Sequence, residues 1–172
     1  METLIPFRGQ SQYDAAIHPR LQGSACGPVT VAVILQHHEK NQIVVDDFYK
    51  QIGGTRIGLF TWRMIRRLRR SLGSRYHIAK AVSLEDVKQE LLAGRPVAMK
   101  FDKHFSFRWF QKPAYRYHWV PLVGFHDEED DVTLFFHDNG GRGRESRLRK
   151  TSWKRNRDVL SFVKIVPVDS LS

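Results

Sequence analysis

The sequence predicts an α+β protein in which helices from the first half of the chain pack on an antiparallel sheet from the second half. Apolar residues recur at helical spacing as far as Gly94 and at extended spacing after it. Acidic or glycine-rich turns separate the later apolar runs, which is typical of antiparallel strands. Helices and strands are therefore segregated along the chain, as in the α+β class.

The size of the chain favours one domain over residues 1–172, with residues 1–20 as an extension lying over its body. Its 172 residues, 41% of them hydrophobic, suffice for one core. No stretch of about 18 uncharged apolar residues is present, and the first residues lack the pattern of a signal peptide. The single cysteine excludes an internal disulfide. We therefore expect a cytoplasmic protein.

Four helices are predicted in the first half of the chain. They run from Cys26 to about His38, from Asp46 or Asp47 to Ile52, from Thr61 to Leu72, and from Leu84 to Ala93. Pro28 suits the first turn of the first helix, and Thr61 is a suitable N-cap for the third. Ser83 and Asp86 resemble a capping box. Glycines follow the last three helices and predict where they end.

Four strands are predicted in the second half. They are Arg95–Phe101, His118–His126, Val132–Asp138 and Leu160–Val166. An aromatic, basic loop from Asp102 to Tyr117 joins the first two, and the acidic turn from Asp127 to Asp131 joins the next two into a hairpin.

The only cysteine, Cys26, stands at the mouth of the first helix. The free N–H groups and the positive end of the helix dipole favour a thiolate over a thiol at this place. Cys26 is therefore a candidate nucleophile. The alternative is that Cys26 is a small buried apolar residue, which is the common role of a lone cysteine in an apolar helix.

His118 and Asp138 stand at the two open ends of the predicted hairpin. Because strands 118–126 and 132–138 are antiparallel, these two residues are expected at the same end of the sheet, close enough for the carboxylate to hold the imidazole. With Cys26 they form a candidate nucleophile, base and orienting group. The alternatives are an ordinary strand-end histidine and a turn-forming aspartate.

Four motifs in order resemble the papain-like C39 peptidases, and within them the free-standing bacterial C39-like proteins. The motifs are Cys26-Gly27-Pro28, Gly94-Arg95-Pro96-Val97, His118-Trp119-Val120 through Gly124-Phe125, and Phe136-His137-Asp138. The resemblance covers about residues 20 to 165. It implies a papain-like fold with Cys26 as nucleophile, His118 as general base and then acid, and Asp138 as orienting group. The implied activity is hydrolysis of a peptide or other amide through a thioester.

The chain departs from the C39 pattern at two positions. The family usually has a glutamine about six residues before the cysteine as an oxyanion donor, where this chain has Arg20. Gln22, four residues before Cys26, is the candidate replacement. The family's Asp-Pro is Asp138-Asn139 here. No metal-binding spacing such as HExxH is present, so we expect neither metal nor cofactor.

The chain carries 28 Lys and Arg against 18 Asp and Glu, for a net charge of +10. Such a surplus attracts anionic partners. The candidate contacts on the third helix are Arg63, Arg66, Arg67 and Arg70, whose alternative role is a solvated helix face. Arg142 and Arg144 follow Asp138 closely and are expected to bias the site towards acidic substrates.

Two other functions remain open from the sequence. One is a catalytically inactive papain-like module that binds an anionic polymer or protein through its basic faces. The other is an acyltransferase that uses the same cysteine, histidine and aspartate with an amine in place of water.

Overall fold

The computed structural model describes residues 1–56, 58–102 and 117–170. The helices are α1 (Pro19–Gln22), α2 (Cys26–Glu39), α3 (Val45–Gln51), α4 (Thr61–Leu72), α5 (Leu84–Leu92) and α6 (Trp153–Asn156). The strands are β1 (Glu2–Leu4), β2 (Tyr76–Lys80), β3 (Val97–Asp102), β4 (Tyr117–Asp127), β5 (Val132–His137), β6 (Leu148–Ser152) and β7 (Leu160–Pro167). Most of the loop predicted over 102–117 lies outside the described residues.

The seven strands form one antiparallel sheet. Six of them follow the order β2-β7-β3-β4-β5-β6, and β1 pairs with the C-terminal part of β4. The register between β4 and β5 shifts between Leu122 and Gly124. Gly124 has no side chain, and a Cβ there would lie 2.3 Å from the carbonyl oxygen of Thr3. The glycine is therefore what allows β1 to approach this strand.

Apolar clusters cover both faces of the sheet. The first cluster contains α2, α3 and α4 with the sheet residues Ala98 and Trp119. The second contains buried residues of α5 with Met99, Phe101 and Val120. The predicted α+β class, with N-terminal helices packed on a C-terminal antiparallel sheet, is confirmed.

The helix α5 starts at Leu84, as predicted, and ends at Leu92, one residue before the predicted end. The Ser83 hydroxyl accepts a hydrogen bond from the Asp86 N–H at 3.1 Å, as the capping box predicts. Thr61 is the first residue of α4 and Phe60 is its cap, so the predicted Thr61 N-cap is wrong by one residue. Among the helices of the described ranges, none has both the length and the apolar character needed to cross a membrane.

The first 25 residues are more regular than predicted. β1 and α1 lie in this segment, which the sequence suggested was irregular. β1 is ordered by its backbone bonds to β4 rather than by its own three residues. Short elements of this kind depend on a distant partner, so local sequence patterns do not reveal them.

Candidate active site

Cys26 is the first residue of α2, and its turn packs tightly against β4. The residue is 6% exposed. A Cβ on the neighbouring Gly27 would lie 3.0 Å from Leu59 and 3.2 Å from Cδ1 of Trp119. The Trp119 indole N–H donates to the Leu59 carbonyl at 2.8 Å. The Cys26 turn therefore lies directly against Trp119, the strand residue that follows His118.

Burial decides the charge of the Cys26 thiol in the free protein. Removal from water raises the pKa of the thiol, against smaller lowering effects of backbone hydrogen bonds at Trp119, Gly27 and Cys26 itself. The helix end acts in the direction that the sequence suggested, but burial is the larger effect. The resting sulfur is therefore a neutral thiol, which corrects the expectation of a thiolate.

The β4–β5 register brings His118 and Asp138 to the same end of the sheet. Leu122 pairs with Phe136, and continuing this pairing sets Trp119 opposite Asn139. His118 and Asp138 are then diagonal neighbours across the strands. Burial lowers the pKa of His118 to about 4, and the charge of Asp138 opposes this shift. The imidazole is consequently neutral at pH 7 and able to accept a proton.

The Asp138 carboxylate, 2% exposed, is held by a dense set of donors. Its Oδ1 accepts from the N–H groups of Gly140 (3.1 Å) and Arg147 (2.9 Å) and from Arg144 (3.1 Å). Its Oδ2 lies 3.0 Å from both Arg144 Nη2 and Arg149 Nε. Burial raises the pKa of Asp138, but these donors outweigh it and bring the pKa down to about 2. Asp138 is therefore a fixed negative charge.

Asn139 joins the Cys26 turn to β4, the strand that carries His118. Its Nδ2 group donates to the carbonyl oxygens of Cys26 at 3.0 Å and Trp119 at 2.7 Å, and it lies 3.2 Å from Thr30 Oγ1. The residue is 1% exposed. The asparagine that departs from the family's Asp-Pro thus uses its amide to hold the two parts of the site together.

Gln22, the candidate oxyanion donor, is occupied by backbone carbonyls. Its Nε2 group donates to Ile17 O at 3.0 Å and to Asp14 O at 3.2 Å. The backbone carbonyl oxygen of Gln22 accepts a hydrogen bond from Gln12 Nε2 at 2.7 Å. To bind an oxyanion, the Gln22 side chain has to release one of these carbonyls.

The arginines that the sequence singled out lie in four different environments. Arg144 binds both oxygens of the Asp138 carboxylate. Arg142 is exposed, with its guanidinium 5.5 Å from the centre of the Tyr13 ring. On α4, the Arg63 side chain covers Gly53. Arg66, Arg67 and Arg70 are exposed and form no ion pair with any residue of the described ranges.

Sequence reasoning missed Gln12, Asn139 and Arg149 as parts of this site. The Asp-Asn dipeptide at 138–139 was the one available signal, because a buried asparagine needs partners for its amide. Within the described part of the chain, no three His, Cys, Asp or Glu side chains are grouped so as to hold a metal ion.

Most of the chain matches the model of one known protein family. The model of the Peptidase C39-like family matches residues 4–161. The chain belongs to the peptidase C39-like family. The resemblance seen in the sequence motifs is thereby confirmed, and the matched span includes the cysteine, the histidine and the aspartate. No curated protein matches the sequence.

Solved structures of C39 peptidases share the fold at low sequence identity. A C39-like peptidase from Bacillus anthracis has a TM-score of 0.60 at 14% identity, covering 96% of this chain and 99% of the other. A double-glycine motif protease from an AMS/PCAT transporter, in complex with its leader peptide, has a TM-score of 0.59 at 13% identity over 96% and 95%. The peptidase domain of Streptococcus ComA, a bifunctional ABC transporter, has a TM-score of 0.53 at 12% identity over 96% and 98%. These similarities confirm the papain-like peptidase fold.

Proposed function

We propose that this protein is a cysteine peptidase or amidase with Cys26 as nucleophile, His118 as general base and then acid, and Asp138 as orienting charge. The observation that carries the proposal is the Asn139 amide, which bonds the carbonyls of Cys26 and Trp119 at 3.0 and 2.7 Å. One buried side chain thus links the Cys26 turn to β4, the strand that carries His118. The link holds the Cys26 turn against the residue that follows His118.

The mechanism starts from a neutral thiol and a neutral imidazole. His118 accepts the thiol proton as Cys26 Sγ attacks the carbonyl carbon of the substrate. The backbone N–H of Cys26 stabilises the oxyanion, joined by Gln22 if its amide exchanges a carbonyl partner. His118 then gives the proton to the leaving amine, and the acyl group stays on sulfur as a thioester. Water hydrolyses the thioester and restores the free thiol.

A peptide library digested with the protein and read by mass spectrometry tests the proposal. We expect defined cleavage products from the wild type and none from Cys26→Ala, because the chain has no other thiol. Cleavage that persists at the wild-type rate in Cys26→Ala would contradict the proposal, as would the absence of any cleavage. Products extended by an added amine would instead support the acyltransferase.

Arg142 and Arg144 carry a further proposal about specificity. We propose that their positive charges favour acidic residues in the substrate. Arg142 is exposed beside Tyr13 and available to a ligand. Arg144 is paired with Asp138 and places its positive charge at that end of the site. The same library reads this directly: acidic residues are expected to be enriched near the cut sites, and enrichment of basic residues contradicts the proposal.

The basic segment 48–84 favours a second role, binding of an anionic polymer. Residues 48–84 contain no Asp or Glu and nine basic residues, which are Lys50, Arg56, Arg63, Arg66, Arg67, Arg69, Arg70, Arg75 and Lys80. We propose that Arg63, Arg66, Arg67 and Arg70 are the contacts.

Elution from a heparin column tests the anionic partner. A variant with Arg66, Arg67 and Arg70 all changed to Gln is expected to elute at clearly lower salt than the wild type, because fewer counterions are released on binding. The matched control changes Lys154, Arg155 and Arg157 to Gln, which removes the same charge from α6 and its end. Equal shifts for both variants would show an effect of net charge alone and would contradict a binding face on α4.

A further inference from the structure

A buried lysine lies on the central strand of the sheet. Lys100 is 4% exposed, and five of the six residues of β3 are buried. Lysine is almost never fully buried unless its charge is paired, because transfer of an ammonium out of water is costly. The residue plays no part in the mechanism given above, so its position needs an explanation.

Lys100 lies on the face of the sheet that α2 covers. It is the cross-strand partner of Trp119, and Ala98, two residues earlier, belongs to the same cluster as α2. Its ammonium is 2.6 Å from Asp102 Oδ2 and 5.8 Å from the centre of the Trp119 ring. Strand pairing, the carboxylate and the indole therefore fix the cation in one place.

The Trp119 indole connects this cation to the nucleophile. A Cβ on Gly27 would lie 3.2 Å from Trp119 Cδ1, so the ring borders the Cys26 turn. Asn139 ties the backbone carbonyl of Trp119 to that of Cys26. Lys100, Trp119 and Cys26 are all buried, and a charge acts over a longer distance where water is excluded.

We propose that Lys100, anchored by Asp102 beside the Trp119 indole, is a positioning residue that stabilises negative charge on the sulfur of Cys26. This deepens the proposed function, because the sulfur must become negative as His118 takes its proton. The positive charge of Lys100 also opposes the effect of burial on the pKa of the thiol. A purely structural ion pair would leave the titration of Cys26 unchanged.

The chain contains a matched control on the other face of the sheet. Lys88 on α5 lies 2.6 Å from Asp127 Oδ1 and 5.2 Å from the centre of the Phe125 ring, and its side chain is 12% exposed. It combines an ammonium, a carboxylate and an aromatic ring as Lys100 does, with a second carboxylate, Glu85 Oε1, at 3.2 Å. It packs among residues of the cluster that does not contain Cys26.

The test is the pH dependence of the iodoacetamide reaction of Cys26 in Lys100→Met and Lys88→Met. Lys100→Met is expected to raise the midpoint by roughly half to one pH unit, because an opposite charge is removed. Lys100→Arg, which keeps the charge, should restore the wild-type midpoint, and Lys88→Met should not move it. Unchanged midpoints in a folded Lys100→Met, or equal shifts in both Met variants, would overturn the proposal.

Asp102→Asn keeps the proposal testable if Lys100→Met does not fold. It removes the charge that offsets the ammonium, so the midpoint is expected to fall below that of the wild type; no shift, or an upward shift, would overturn the proposal. The reaction needs no substrate. A protein without peptidase activity would therefore contradict the proposed function and still report whether Lys100 acts on the sulfur.

Discussion

Changing His118 to alanine is expected to lower kcat/KM for peptide hydrolysis by about 10²- to 10⁴-fold, the range that a positioned general base contributes. The loss follows because burial makes Cys26 a neutral thiol, and without the imidazole nothing takes its proton. The measurement is initial rates on a peptide cleaved by the wild type, with circular dichroism to check the fold. His77→Ala, at an exposed histidine of β2, is the matched control and should keep the wild-type rate.

The acidic limb of the wild-type pH profile gives an independent check on His118. A general base works only in its neutral form, so the rate should hold on lowering the pH until it approaches the His118 pKa of about 4. A limb near the ordinary histidine value of 6.5 would contradict the burial that we assign to this group. A full rate in His118→Ala would exclude it as the base.

Asp138→Asn is expected to lower the free energy of unfolding by about 2 kcal/mol or more at pH 6. The carboxylate pKa falls from 3.8 to about 2 on folding, and each pKa unit corresponds to about 1.4 kcal/mol. A lowered pKa stabilises the fold above the unfolded value and loses this effect as the pH falls towards the folded one. The advantage of the wild type over Asp138→Asn should therefore shrink by about 1 kcal/mol between pH 6 and pH 3.

Urea denaturation of the two proteins at both pH values measures this difference. Asp130→Asn, at an exposed carboxylate in the β4–β5 turn with no ion pair in the described ranges, is the control. Its stability should follow that of the wild type at both pH values. If the difference in unfolding free energy between wild type and Asp138→Asn stays the same at both pH values, folding does not lower the pKa of Asp138. That result would contradict the stabilising role that we assign to Arg144 and Arg149.

The main elements of the site were predictable because each rests on local patterns. A cysteine before a glycine, a proline and an apolar run marks a helix start, and a hairpin with an acidic turn brings His118 and Asp138 to one end. The strands β4 and β5 pair in this antiparallel way, with Asp127 opposite Val132 beside the turn. β2 and β6 were not predicted. β6 reads Leu-Arg-Lys-Thr-Ser, without apolar alternation, and becomes a strand through its pairing with β5.

The contacts that hold the site together were not predictable, because they join distant parts of the chain. Asn139 binds Cys26 across 113 positions of sequence, and nothing near residue 139 indicates that partner. The charge of Cys26 is a second example. A helix start indicates a lower thiol pKa, whereas the opposing effect of burial depends on how β4 and Leu59 pack over the turn.

Covalent trapping of the single cysteine tests whether Cys26 and His118 work as a nucleophile and its base. The wild type and His118→Ala are incubated with a peptidyl acyloxymethyl ketone, and the adduct is followed by intact mass spectrometry. We expect one adduct, on Cys26, that forms in the folded wild type and is strongly slowed in folded His118→Ala. An adduct that forms equally fast in both proteins, or only after unfolding, would contradict the assignment of Cys26 and His118 as a working pair.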